Sequence, residues 1–206
     1  LTKQVGRQII TNFKNKNQHI DFLNDLFEHK AVEINSLSFC NQYRIRNYWT
    51  NICDLEIPKD REPDLASILE SGCEFEWLDK ERSDYVLRLA SLDNKTRKGV
   101  YKDKDPMPEN IVIKPVKGQF IYNNHLGQNG RIFKDYSATI VCAGNVHVVD
   151  ELDGELRVRK ITLNEYKSLQ TIPLDYDFPI SFSQAKKAIG NSWNVDTISY
   201  ILKSCE

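Results

Sequence analysis

The sequence predicts an α/β fold in which a small, mostly β module is inserted between two α/β pieces. Three observations carry this. Helical apolar spacing over residues 1 to 30 runs into two extended segments in quick succession. From Asn51 the texture turns polar and proline-punctuated, and short strands then recur between Ile111 and Val149. From Arg159 helical spacing returns and holds to the C-terminus.

The elements follow in order. Val5, Ile9 and Phe13, then Ile20, Leu23 and Phe27, fall at the three- and four-residue intervals of one helix face. Strands at about 31–35 and 43–52 come next, as at the edge of a doubly wound sheet closed by an antiparallel strand. Pro58 and Pro63 punctuate the following stretch. Leu65, Ile68 and Leu69 make a short helix with Gly72 as its stop, and Asp79 to Ala90 makes another. Residues 93 to 110 lack periodicity and read as loops. Pro108-Glu109-Asn110 is a polar turn before a strand at Ile111–Val116. Gln119–Tyr122, Arg131–Phe133 and Ala138–Val149 are the further strands, with turns at Asn123-Asn124, Gly127, Asn129-Gly130 and Gly144-Asn145. Thr162 with Glu165 is a capping box that starts a helix, and Pro173 ends that segment. Ser183 caps a helix over Gln184 to Ile189 that Gly190 ends, and Val195, Ile198 and Leu202 share one face of the last helix.

Composition narrows the class. Over 206 residues, 40% apolar and 28% charged side chains describe a globular protein, with no run long enough to span a bilayer. The five cysteines form no CxxC pair and no metal-ligand spacing, and His19, His29, His125 and His147 are far apart, so no metal is expected. An odd cysteine count without a framework fits a reducing compartment: the cytoplasm of a prokaryotic or phage-infected cell, or the nucleus if the source is eukaryotic. Leu1-Thr2-Lys3-Gln4 shows no signal-peptide pattern, and the missing initiator methionine suggests a cut product or an internal start. A net charge of −1 requires any DNA-binding face to be local. Lys95, Arg97, Lys98, Lys102 and Lys104 form one basic cluster, open to reading as a phosphate track or as solubilising loops; Arg157, Arg159 and Lys160 form a second.

Gln42-Tyr43-Arg44-Ile45-Arg46 is the most informative stretch. On a strand, Arg44 and Arg46 point the same way, and arginine forks onto phosphates and onto the acceptor edge of a base. Two later blocks accompany it: Arg159-x-x-Thr162-x-x-Glu165-x-x-x-Leu169-Gln170 and Gly190-Asn191-Ser192-Trp193. In this order and spacing the three resemble the last blocks of the DNA cytosine-5 methyltransferases, and they span residues 42 to 193. Gly130-Arg131-Ile132-Phe133 and Ser137-Ala138-Thr139-Ile140 resemble the last segments of that family's target-recognition domain. The family's Pro-Cys nucleophile, its glycine-rich methyl-donor loop and an E-N-V block before the QxRxR block are missing: the cysteines follow Phe39, Ile52, Gly72, Val141 and Ser204.

The resemblance implies the C-terminal part of a Rossmann-like S-adenosylmethionine-dependent methyltransferase domain with an inserted target-recognition domain. Residues 1–51 would be the edge of the catalytic α/β domain, 52–158 the recognition domain, and 159–206 the return to the cofactor side. In that chemistry the cytosine leaves the duplex stack, a thiolate attacks carbon 6, a carboxylate helps protonate N3, and carbon 5 is methylated. Cysteine and carboxylate would come from a chain or segment with the N-terminal motifs. Here Arg46 would hold the base at O2, Arg44 would contact phosphate or position the site, and Gln42 would support them. Asn191, Ser192 and Trp193 would meet S-adenosylmethionine at a helix entrance. Arg131, Thr139, Arg159 and Thr162 would contact double-stranded DNA. Asn123, Asn124, Gln128 and Asn129 could read base edges or simply form turns. A restriction–modification setting suits the lysine-, asparagine- and isoleucine-rich composition. The alternative is a non-catalytic regulatory or DNA-binding module of the same fold.

Overall fold

The computed structural model describes residues 16–52, 55–100, 105–123, 130–133, 135–140 and 145–203. The expected helix face of Val5, Ile9 and Phe13, and Lys102, Lys104, Asn124, Gln128 and Asn129, lie outside them.

Helix α1, Lys16–Phe27, leads into β1, Val32–Asn35, which pairs antiparallel with β2, Ile45–Tyr48. The register sets Ile34 opposite Arg46. The Asn24 amide oxygen accepts from Trp49 Nε1 and the Ala31 amide, at 2.9 Å each, tying α1 to the hairpin. Both strands are shorter than expected, and among the described residues they form a two-stranded sheet of their own. A 3₁₀ turn at Ser36–Ser38 follows β1, and the Asn35 side chain accepts from the amides of Leu37 and Arg44.

The second sheet holds four antiparallel strands: β3 Phe120–Asn123, β4 Arg131–Phe133, β5 Asn145–Leu152 and β6 Glu155–Lys160, in the order β4-β3-β5-β6. Strand alternation sends successive residues to opposite faces, and both faces are apolar. Phe120, Val146 and Val148 face Tyr166, Leu169 and Ile189. Ile121, Val149 and Val158 face Leu78, Val86, Leu87 and Ala90. The first cover comes from α4, Leu163–Leu169, and α5, Phe182–Asn191; the second comes from α2, Lys80–Ser91. Helix α3 is the short Asn94–Lys98, and α6 is Val195–Lys203. Residues 76–78 run along the outer edge of β6, with Leu78 N–H donating to the Val158 carbonyl and Lys160 N–H to the Glu76 carbonyl, 2.9 Å each. That pairing protects an edge that would otherwise be open.

Several expected elements change. Ile111–Val116 forms no strand: among the described residues no strand pairs with it, Val112 is 80% exposed, and the Lys114 amide donates to Ser91 Oγ. Leu65–Ile68 is a 3₁₀ turn capped by Asp64. The cap of α5 is Ser181, not Ser183, and the helix passes through Gly190 to end at Asn191. β6 was not anticipated, and it crosses the expected 158/159 boundary; one core, with Phe120 and Val148 before that boundary and Tyr166 and Leu169 after it, spans the division.

His147, on β5, is only 4% exposed. Burial, reinforced by the charges of Arg82, Lys160 and Lys186, pushes its pKa from 6.5 down to about 4. A buried imidazole that resists protonation stabilises the fold above the unfolded value and loses that contribution as pH falls through the folded one. Urea unfolding should therefore show about 2 kcal/mol less stability at pH 5 than at pH 7.5 from this group. His147→Gln should remove that part of the slope; an unchanged slope would show that His147 is not its source.

Candidate functional site

The site is built around the QxRxR stretch, which is pinned before β2 begins. Tyr43 N–H donates to the Ser137 carbonyl at 2.9 Å, and Ser137 N–H donates to the Asn41 carbonyl at 2.7 Å. This is a short parallel bridge between Gln42 and Ser137. Thr139 Oγ1 donates to the Tyr43 carbonyl at 2.9 Å, so the segment around Thr139 lies directly against the QxRxR stretch. The rings of Tyr43 and Tyr136 add an aromatic contact at 5.3 Å.

Arg44 joins three distant parts of the chain. Nη1 donates to the Ile140 carbonyl at 3.1 Å and Nη2 donates to the Ser192 carbonyl at 2.9 Å. The side chain is 5% exposed. Burial, and then the neighbouring charge of Arg46, lower its pKa, although a guanidinium stays charged at any physiological pH. Its two forked donors thus fix the 140 and 192 segments relative to β2. Arg46 differs: it is exposed, and its Nη1 donates to the Ile45 carbonyl at 2.8 Å. The expectation that both arginines point the same way from one strand is corrected: Arg44 precedes the strand and is buried, whereas Arg46 lies on it and is exposed. Gln42 is fully buried, and neither atom of its amide head meets a partner among the described residues.

The Gly190 block is ordered by backbone bonds. Ser192 N–H donates to the Ile189 carbonyl at 3.1 Å, and Ser192 Oγ does so at 2.7 Å. Asn191 and Ser192 therefore sit at the exit of α5, a correction to the expected helix entrance. The helix dipole there is negative, which suits a cationic group rather than a carboxylate. Asn191 is exposed, and Trp193 is 66% exposed beside an apolar groove of about 270 Å³ lined by Ile172, Pro173, Tyr176, Phe178 and Val195. The true start of α6 is Asn194, whose Oδ1 accepts from Thr197 N–H and Oγ1 and whose Nδ2 donates to Cys40 Sγ at 3.3 Å. Sequence reasoning missed Asn194; Asn-x-x-Thr before an apolar run was the available signal. Burial pushes the Cys40 thiol up to about 11, so it is a packing group.

Two of the expected DNA contacts are corrected. Arg159 is fully buried, stacked at 3.9 Å on the Phe75 ring. Its guanidinium donates to both Glu165 oxygens at 3.0 and 2.8 Å and to Asp150 at 2.8 Å. Burial opposes the charge, but these carboxylates outweigh it and raise the pKa. Thr162 caps α4: its hydroxyl accepts from Glu165 N–H and donates to Glu70. Glu165 reaches back to Thr162 N–H at 2.8 Å, completing the capping box. Neither side chain is available to a phosphate. Arg131 is exposed, 5.0 Å over the Phe133 ring, and close enough to Arg97 to depress that guanidinium's pKa after burial has done so. The turn before Arg131 requires glycine: Gly130 has φ +71°, and an added Cβ would lie 2.9 Å from Leu89.

Among the described residues no group of His, Cys, Asp and Glu could hold a metal, and no helix is long and apolar enough to cross a membrane. No curated protein matches the chain. A crystal structure of a triply substituted DNMT2 from Spodoptera frugiperda is similar at 17% identity and a TM-score of 0.46, over 95% of this chain and 63% of that one. The chain thus spans less than two thirds of that structure's length. The profile of the C-5 cytosine-specific DNA methylases matches residues 7–206, and the chain belongs to that family.

Proposed function

We propose that this chain is the C-terminal part or subunit of a DNA cytosine-5 methyltransferase. It recognises the DNA target, holds the flipped cytosine and completes the S-adenosylmethionine site. The Pro-Cys nucleophile comes from another chain or segment. Residues 1–51 supply the edge of the Rossmann-like catalytic domain, 52–158 the inserted target-recognition domain, and 159–206 the return to the cofactor side. The observation that carries this reading is Arg44, whose guanidinium bonds the Ile140 and Ser192 carbonyls. It brings the QxRxR stretch, the Thr139 segment and the Gly190 block to one place, as a face shared by base, DNA and cofactor requires.

The roles then divide by accessibility. Arg46, exposed beside this junction, is the group that meets the base at O2, where negative charge grows during attack at carbon 6. Arg44 positions the junction, and Gln42 and Thr139 support it. Arg131, with Arg97 behind it, contacts the DNA backbone. S-adenosylmethionine supplies the methyl group. Asn191 and Trp193 are the residues that fit it: an exposed amide at the negative end of α5 suits the amino end, and an exposed indole offers a stacking face. Ser192 contributes through its backbone position, since its hydroxyl and amide are committed to Ile189.

The isolated chain is expected to transfer no methyl group from labelled S-adenosylmethionine to duplex DNA, because none of its cysteines follows proline. Transfer that disappears when one of those cysteines is replaced would overturn the assignment.

A further inference from the structure

Tyr43, inside the QxRxR stretch, has no part in holding the base or the junction. Its backbone is fixed on both sides, the N–H by the Ser137 carbonyl and the carbonyl by Thr139 Oγ1. Its side chain is nevertheless 41% exposed. It stands at the outer end of a ladder of rings. The Tyr43 and Tyr136 centroids are 5.3 Å apart with the planes tilted by 35°, and those of Tyr136 and Phe133 are 5.9 Å apart at 55°. Tyr136 and Phe133 are half-buried, and Phe133 packs against the core that contains Phe120 and Val148. The ladder is therefore anchored at one end and open at the other. Beyond the anchored end, the Arg131 guanidinium lies 5.0 Å over the Phe133 ring. Arg97 Nη1 donates to the Gly130 carbonyl, just before Arg131, at 3.4 Å. The exposed carboxylate of Asp135 lies between Phe133 and Tyr136 in the chain, so the rings rather than net charge must carry any interaction here.

We propose that the Tyr43–Tyr136–Phe133 ladder is a stacking platform for an unpaired base of the DNA strand, with Arg131 on a phosphate of that strand. A flat ring held open to water on a rigid support finds its best partner in another π-face. Inside a duplex each base face is covered by its neighbours, so only an unstacked base can use the platform. The Tyr43 end lies within the same stretch as Arg46, the group assigned to the flipped cytosine, and flipping is the step that opens the stack. Because every base has a π-face, the platform tolerates sequence. This inference rests on the proposed function for the identity of the strand.

Fluorescence anisotropy of the full chain tests this with four labelled oligomers of one length: single-stranded DNA, an abasic strand with the same phosphates, duplex DNA and single-stranded RNA. Single-stranded DNA should bind about tenfold tighter than the abasic strand and tighter than the duplex. Y43L keeps an apolar contact with Tyr136 but removes the flat face; it should weaken the base-bearing strand about tenfold, leave the abasic strand unchanged and melt like wild type. Y43W should restore the affinity, which a merely structural role for Tyr43 does not predict. R131Q should weaken base-bearing and abasic strands alike and lower the salt slope by about 0.7. Equal binding of the abasic strand, duplex bound as tightly as single strand, or wild-type affinity in Y43L would overturn this proposal alone, since duplex binding would stand. RNA bound at least about tenfold tighter than DNA would overturn the assignment to a DNA strand. No binding of any oligomer would overturn it together with the target-recognition reading.

Discussion

Arg159→Ala should cost about 3–5 kcal/mol of stability, the scale of removing one partner from a buried ion pair. The guanidinium and the Glu165 carboxylate are both fully buried, and Asp150 is only 14% exposed. Its loss strands Glu165, which also accepts from Glu70 N–H and caps α4, and it uncovers the Phe75 ring. A domain's whole stability is typically about 5–15 kcal/mol, so the variant should be partly unfolded at 37 °C. Urea denaturation measures the loss. Stability within about 1 kcal/mol of wild type, together with weakened DNA binding, would return Arg159 to the DNA surface.

Arg46→Ala should act the other way, sparing the fold and removing most methyl transfer in the assembled enzyme. The side chain is exposed and, among the described residues, bonded only to the adjacent carbonyl, so its loss strands no buried group there. A charged contact to an oxygen that gains charge in the transition state is worth a few kcal/mol, about a hundredfold or more in kcat. Arg44→Ala should combine the two effects, because it frees the Ile140 and Ser192 carbonyls and loosens the junction. Unchanged kinetics in both variants would remove the QxRxR stretch from the chemistry.

Much of this was legible in the sequence because it depends on local rules. The Thr162–Glu165 box is set by spacing alone, and so is the amphipathic last helix. The missed strand β6 shows where local reading fails. Arg157, Arg159 and Lys160 look like a solvated charge run, yet Leu156 and Val158 alternate with Arg157 and Arg159 and pack into the core. Arg159 is held inside by carboxylates nine residues before it and six after. The Asp153-Gly154 turn was a readable sign of the hairpin, since both residues adopt positive φ, 53° and 80°, as a type I′ turn requires. Gly190 misled in the opposite direction: glycine suggests a helix stop, but here it is buried inside α5, and Ser192 supplies the cap. The Arg44 junction was hidden because its partners are backbone carbonyls 96 and 148 residues away, which carry no side-chain signature.

The assembly itself is the central claim. Trp193, just before the last helix, and Val195 and Leu202 on it are exposed apolar side chains that, on the proposed reading, a methyl-donor half would cover. Co-expression with a chain carrying the F-x-G-x-G, Pro-Cys and E-N-V blocks, followed by sizing and a labelled methyl-transfer assay, tests this most directly. The expected result is a one-to-one complex that methylates cytosine in duplex DNA. A monodisperse, thermally stable monomer that ignores that chain and leaves it inactive would contradict the account.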